Sequence, residues 1–526
     1  MTAPRPLLML NAVLLAALAL LGGAWAVGSH PSSSPDDSFH LASTWCSWGR
    51  EASRCEAAEP AGGGRFVQVP PLAEVISQCT NRRPERSAAC IADDTGAATR
   101  YPSYANAGAY PGGYYAVGRL LVGPETVRSI LLLRVFWFVV SAGLIVGVGL
   151  LLPPQDRWRA WWTLLALSVP LGLFLFASNN PSGPMIAGCV AVAGGAYAIG
   201  RQQSRRAVVG GTVLALLGLL AAAQSRPDGW QFAGLCFGLG ALASLSSIRA
   251  AFEPTRLLPW AVVAAAAAAA GLASAKPPTL NFTPGQGAEN ADRTSEFANL
   301  LEIPGFSTEG LPAGATFPPT LLGNLQELPR FYIGEFATNL GSFDTPMPAI
   351  TWALMAMVIG GIAVLGLTEL TRFRAAALVL ALGALVAVPL YMLQSLGAPV
   401  GFWVQPRYLL PLVLTTGLLL AVRPGRAAVP PVVPIVVLSG LLVVAHTWAL
   451  HRRIRRSVTG IDEEGFSLSA GAQWWWQTSW GPDAVWLMGS LAFAALVGGL
   501  AWRVVRGARP GGEQPAGAPL LPPATR

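Results

Sequence analysis

The sequence predicts an all-α polytopic membrane protein of about twelve transmembrane helices, with large loops gathered on one side. Three observations carry this. Only 12% of the 526 residues are charged and 53% are hydrophobic, whereas soluble proteins average about 25% charged residues. Apolar runs of about 20 residues, enough to cross roughly 30 Å of hydrocarbon, recur along the chain. Arginines fall in short clusters between those runs, which is how membrane topology is written. The net charge of +8 is therefore read as topology. No zinc-finger spacing, helix-turn-helix pattern or basic-aromatic strand motif points to nucleic acid.

The spans fall at about 6–27, 127–152, 158–177, 184–200, 207–224, 230–249, 257–275, 347–368, 374–395, 406–422, 428–450 and 484–504. Gly and Pro inside several of them are tolerated in membrane helices. "AWA" (24–26) resembles a signal-peptidase site, but the apolar run before it is longer than a signal peptide's core of about 7–15 residues, so the segment is read as a retained span.

Sidedness rests on two independent signals. Cys46, Cys55, Cys79 and Cys90 share the loop after the first span. An even set in one loop suggests two disulfides and an external compartment. Three pairings are open; 46–55 with 79–90 closes the shortest loops. Cys189 and Cys236 lie inside spans and read as small apolar residues. With the first loop outside, Arg157/Arg159, Arg201/Arg205/Arg206, Arg249/Arg256, Arg372/Arg374, Arg423/Arg426 and the tail arginines Arg503, Arg506 and Arg509 are cytoplasmic. The loops near 178–183 and 396–405 carry no Lys or Arg. That is the positive-inside bias, and it places both termini in the cytoplasm of a plasma-membrane protein.

The chain accordingly divides into a first helix (1–27), an external loop (28–126), helices two to seven (127–275), an external loop (276–346), helices eight to eleven (347–450), an external Arg/Trp-rich loop (451–483), a last helix (484–504) and a disordered cytoplasmic tail (505–526). Loops longer than about 12–15 residues are commonly functional or disordered, and three on one face favour function. "HRRIRR" (451–456) breaks the charge rule. Either Asp462, Glu463 and Glu464 neutralise it or its guanidinium forks bind phosphate. "QWWWQTSW" (473–480) fits an interfacial aromatic belt. Asn281-Phe282-Thr283 fits a glycosylation tripeptide, a common pattern of little weight.

The candidate chemistry begins at "SPDDSFH" (34–40). Pro35 sets the chain direction, and a helical turn would put Asp36, Asp37 and His40 on one face. Such carboxylates can act as a general base or hold a divalent cation. Asp36, Asp37 and His40 would suit Mg or Mn, being too few for a dedicated zinc site. The plain alternative is a wet helix end. The aromatic run "FHLASTWCSW" that follows offers surface on which a sugar ring could stack.

"SPDDSFHLASTWCSWG" (34–49) resembles the "PDE–x–x–H" region of domain-of-unknown-function family 2142, predicted multi-pass membrane proteins. Further matches come in the family's order: "LLLRVFWF" (131–138), "SNNPSG" (178–183), "GSFDTPMP" (341–348) and "QPRYLLPL" (405–412). The family looks similar to the GT-C glycosyltransferases, which take sugars from polyprenyl-phosphate donors at the outer membrane face. The resemblance implies that Asp36 or Asp37 is the catalytic carboxylate, with Asp37 where the family often has Glu. Ser38-Phe39 replaces the family's Pro-Ala, and Pro406 replaces the Gly of "GRYFLP". Arg407 and Tyr408 remain, expected to bind the donor phosphate; apart from the resemblance, the guanidinium forks of Arg452 and Arg453 in "HRRIRR" are expected to join them. Asp344 is either a second acidic group or a helix cap. The implied activity is transfer of a sugar from a polyprenyl-phosphate donor to a cell-envelope glycan or lipid acceptor. A transporter or lipid flippase, which would place ionisable groups at mid-membrane, and a non-catalytic envelope assembly factor are the rivals.

Overall fold

The computed structural model describes residues 5–47, 56–58, 66–68, 80, 83–91, 100–102, 110–201, 204–273, 321–333, 339–341, 344–368, 370–396, 400, 404–423 and 431–507. The expectations placed on Cys55, Cys79, Asn281, Arg426, Arg509 and the tail from 508 onward lie outside these residues.

In chain order the helices are α1 (Arg5–Val27), α2 (Asp37–Trp45), α3 (Gly112–Arg119), α4 (Thr126–Leu151), α5 (Pro154–Leu167), α6 (Val169–Phe176), α7 (Ser182–Arg201), α8 (Arg205–Ser225), α9 (Gly229–Ser244), α10 (Ile248–Ala251), α11 (Pro254–Ala273), α12 (Leu321–Ile333), α13 (Ala349–Gly366), α14 (Arg372–Leu396), α15 (Leu410–Ala421), α16 (Val432–Val458) and α17 (Pro482–Gly507). Between α2 and α3 lies a small antiparallel sheet of β1 (Glu56–Ala58), β2 (Phe66–Gln68) and β3 (Arg100–Pro102). The protein is thus an all-α membrane bundle with a minor β element in its first long loop.

The bundle is built around α7, whose residues from Ser182 to Gly200 are all buried. Its small residues let neighbours come close, as in membrane helix packing generally. Added Cβ atoms at Gly188 and Gly195 would strike the Gly218 and Gly211 carbonyls of α8. α4, α9, α11 and α15 complete the jacket around α7. α1, α16 and α17 pack together beside it.

Nine helices among the described residues are long and apolar enough to cross a membrane, or ten if the pair α5–α6, bent by 94°, is one broken span rather than a re-entrant loop. The count therefore falls short of twelve for physical reasons. The run read at 158–177 breaks at Ser168, where Val169 takes a left-handed φ of 48° and Pro170 cannot donate to the helix. The runs read at 230–249 and 406–422 form helices of 16 and 12 residues, the latter behind a 3-10 turn over Pro406–Tyr408. "HRRIRR" is not loop: α16 runs through it to Val458, placing cations at a helix C-terminus where the dipole favours them.

Candidate functional site

α1 stops at Val27, whose carbonyl accepts a 2.7 Å bond from Trp476 Nε1. Trp476 is buried, so this tryptophan caps a helix rather than joining a lipid belt. The chain then turns inward through a buried serine-rich loop to Asp36, which caps α2 in the left-handed conformation, φ 58°. Aspartate tolerates that region better than most residues. The turn sends neighbouring carboxylates in opposite directions.

Asp37 points inward. Its side chain and that of Arg134 are both wholly buried, with Arg134 Nη2 3.8 Å from Asp37 Oδ2. Arg134 also donates to the carbonyls of Ala26 (2.8 Å), Ser29 (2.7 Å) and His30 (2.7 Å), fastening the end of α1 to the loop. Burial pushes the Asp37 carboxyl up to about 6, against the opposing pull of Arg134.

Asp36 points to an opening. Its side chain is 55% exposed and Oδ2 accepts a 2.6 Å bond from Arg407 Nη2, whose own side chain is 3% exposed. Burial of the surrounding site raises its pKa, but Arg407 and then His40 outweigh that and hold Asp36 below the usual carboxylate range. Two adjacent aspartates thus have opposite shifts, a pattern that separates acid–base roles.

Arg407 and Tyr408 sit on the 3-10 turn ahead of α15. Arg407 Nη2 also reaches Tyr408 Oη at 3.4 Å, while Nε and Nη1 are buried with no hydrogen-bond partner among the described residues. The Tyr408 ring lies under a second guanidinium, Arg226, at 4.5 Å. Arg226 is itself gripped by Asp228 through bonds of 2.9 and 3.0 Å. Asn180 Nδ2 donates to the Pro35 carbonyl at 2.6 Å while its Oδ1 accepts from Ser182 N, pinning the residue before Asp36.

His40 spends its ring on tyrosines, with Nδ1 3.0 Å from Tyr115 Oη and its ring edge-on to Tyr110. Burial pulls it down to about 3, so it is neutral at physiological pH. Asp36, Asp37 and His40 therefore do not converge, and no group of three or more His, Cys, Asp or Glu among the described residues could hold a metal ion. As placed, the trio does not form a Mg or Mn site.

Asp344 is no plain cap. Its Oδ2 accepts from Arg456 Nε (3.1 Å) and Nη2 (2.7 Å), and its Oδ1 lies 3.8 Å from Arg453. Arg453 donates to Thr345 Oγ1 at 2.7 Å and reaches the Ser33 carbonyl at 3.5 Å. Arg456 donates to the Thr80 and Arg86 carbonyls. Arg452 and Arg455 bind backbone carbonyls of the loop after α16, Ile461 and Gly465 with Ser467 respectively. The four arginines of "HRRIRR" thus tie the loops together.

Asp36, Arg134, Asn180, Asp344 and Arg407 come from five separate stretches and gather at one end of the bundle. Those stretches all fall within residues 18–416, which match the family described as predicted membrane protein (DUF2142). The chain belongs to the DUF2142 family. No curated protein and no solved structure matches it. The DUF2142 match ends within α15, so the arginines of α16 and the tryptophan-rich loop lie beyond it.

Sequence reading missed Arg226 with Asp228, Asn180 as the loop's anchor and Arg134 as the partner of Asp37. The signal was there for the first pair. "QSRPDG" (224–229) breaks an apolar stretch with a charge of each sign, and such residues at span ends are costly unless paired. Cys46 and Cys90 each take part in a disulfide, and the pairing expected with Cys55 and Cys79 lies outside the described residues. Cys189 and Cys236 are free, buried thiols.

Proposed function

We propose that this DUF2142 protein is a GT-C-type membrane glycosyltransferase that moves a sugar from a polyprenyl-phosphate donor to a cell-envelope acceptor. The observation that carries the reading is the Asp36–Arg407 pair: an accessible carboxylate beside a buried guanidinium with two nitrogens to spare. Asp36 is the base and Asp37 is structural, because Asp37 is wholly buried.

In the reaction the acceptor O–H bond breaks and its proton passes to Asp36. The acceptor oxygen attacks the anomeric carbon from the face opposite the phosphate. The bond from that carbon to the phosphate oxygen breaks, and the oxygen keeps the electron pair. The configuration inverts. Arg407 neutralises the departing polyprenyl phosphate, matching its fork to the oxygens. In the resting pair Asp36 is a poor base, since Arg407 stabilises its charge. A donor phosphate competes for Arg407 and loosens that hold, so the carboxylate becomes more basic when the donor arrives.

The site end would face outward from the plasma membrane, with both termini in the cytoplasm; the arginines on the opposite loops support this through the positive-inside bias. Polyprenyl-phosphate sugars with the purified protein in lipid vesicles test the reading. Transfer by wild type and its loss in Asp36→Asn are expected. If vesicles carrying well-folded wild type move lipid across the bilayer but never transfer sugar, the enzyme reading falls.

A further inference from the structure

The opposite end of the bundle carries a second cluster of charge. Asp156 and Arg159 lie in the first two turns of α5, joined by a 2.5 Å bond from Arg159 Nη2. Arg423, just past α15, turns its backbone N–H toward the same carboxylate at 3.4 Å and donates from Nη2 to the Leu365 carbonyl. Arg374 closes the C-terminal ends of α13 and α15 by donating to Gly366, Leu419 and Leu420. Lysine and arginine near helix C-termini commonly do this.

One group in this cluster is not fully used. Arg159 is 92% buried, being 8% exposed, yet its Nε and Nη1 have no hydrogen-bond partner among the described residues. A guanidinium taken out of water with two donors unmet costs free energy unless something accepts from it. Arg159 and Arg423 line a cleft of about 40 Å³ whose other walls include Trp162, Thr163, Ile435 and Val504. At roughly 10–15 Å³ per water, that space takes about three waters, or one phosphate group.

We propose that this cleft holds the phosphate headgroup of an anionic membrane lipid. The apolar walls separate it from a site for free phosphate: Ile362 and Leu365 of α13, Ile435 of α16 and Val504 of α17 offer an acyl chain a path beside the charges. Val432, Val433 and Val436, on the same helix as Ile435, are exposed. Arg503 lies 4.6 Å over Trp158 and Arg506 lies 4.3 Å over Trp502, a pairing of aromatic and cation suited to the headgroup plane. Basic pockets between membrane helices take lipid headgroups in this way. The site is independent of the acidic loop and of the transferase reading.

The test is thermal unfolding and native mass spectrometry of the purified full chain in detergent, titrated with phosphatidylglycerol, phosphatidylcholine or inorganic phosphate. Wild type should be stabilised by phosphatidylglycerol and not by the other two. The double variant Asp156→Asn/Arg159→Gln removes the guanidinium without stranding a carboxylate and should bind phosphatidylglycerol roughly 10- to 100-fold more weakly, the loss expected for a charge-assisted contact. Ile435→Phe fills the cleft, leaves every charge in place and should weaken binding likewise, which keeps the test decisive if the double variant misfolds. Equal binding by wild type and Ile435→Phe overturns the proposal. So does stabilisation by inorganic phosphate alone, or by phosphatidylcholine to the same extent.

Discussion

Arg407 and Asp36 meet at 2.6 Å across 371 positions of chain, and the two ends of that bond differ: the guanidinium is buried and the carboxylate is open. A buried arginine that spends one nitrogen on an accessible aspartate is arranged to meet something that enters from the aspartate's side. Asp37, one residue on, spends its charge on Arg134 inside the protein. The two aspartates should therefore fail differently.

Asp36→Asn should lower sugar transfer by about 10²- to 10⁴-fold, the usual contribution of a general base, with the protein still folded in the membrane. Asp37→Asn should lose much less. The comparison is a transfer assay on both variants at matched protein levels. Wild-type rates in Asp36→Asn would remove the base from the mechanism.

Arg407→Ala should weaken donor binding by roughly 30-fold to several thousandfold, equivalent to about 2–5 kcal/mol for one partner of a desolvated charge pair. Arg407→Lys should recover only part, since an ammonium cannot present a fork. Titration with a polyprenyl-phosphate sugar measures both. Normal binding by the alanine variant would assign Arg407 to holding Asp36 and nothing more.

How much of this could be read beforehand divides along physical lines. Nine of the spans are visible because an apolar run of about 20 residues needs no partner to be recognised. The break at Val169 was not visible, because apolar composition is silent about a left-handed backbone in the middle of a run. Asp36 and Arg407 were legible as unusual charges at span ends. Their pairing was not, and nor were the Asp37–Arg134 and Asp344–Arg456 pairs, since partners hundreds of residues apart leave no spacing to read. "HRRIRR" misled for a related reason: four arginines look like a phosphate site until Asp344 and the loop carbonyls occupy Arg453 and Arg456.

The Asp344 cluster should behave as structure. Asp344→Ala leaves Arg453 and Arg456 buried without their carboxylate, and breaking such a pair costs about 3–5 kcal/mol. Gly341→Ala should act in the same direction: its φ is +71°, and a Cβ there would strike Asp344 Oδ1 and crowd Arg453 Nη1. Both variants should lower the unfolding temperature of detergent-purified protein and reduce transfer only in proportion to the folded fraction. A fully stable Asp344→Ala that has lost transfer would instead mark Asp344 as a second catalytic acid.

The opposite pKa shifts of the two aspartates give a pH test with a definite sign. The folded pKa of Asp37 is about 6, above its ordinary 3.8, because burial disfavours the charged form. Its contribution to stability is therefore fully present below about pH 4 and is lost as pH rises through about 6. A shift of this size corresponds to about 3 kcal/mol between the two ends of that window. Asp37→Asn has no such titration. The stability of wild type relative to Asp37→Asn should fall between about pH 4 and 7, read from denaturant or thermal unfolding in detergent. Asp36, held low by Arg407, is already ionised across that range, so the transfer rate of Asp37→Asn should show no acid limb near pH 6. An activity that climbs through pH 6 in wild type and vanishes in Asp37→Asn would reverse the assignment and make Asp37 the base.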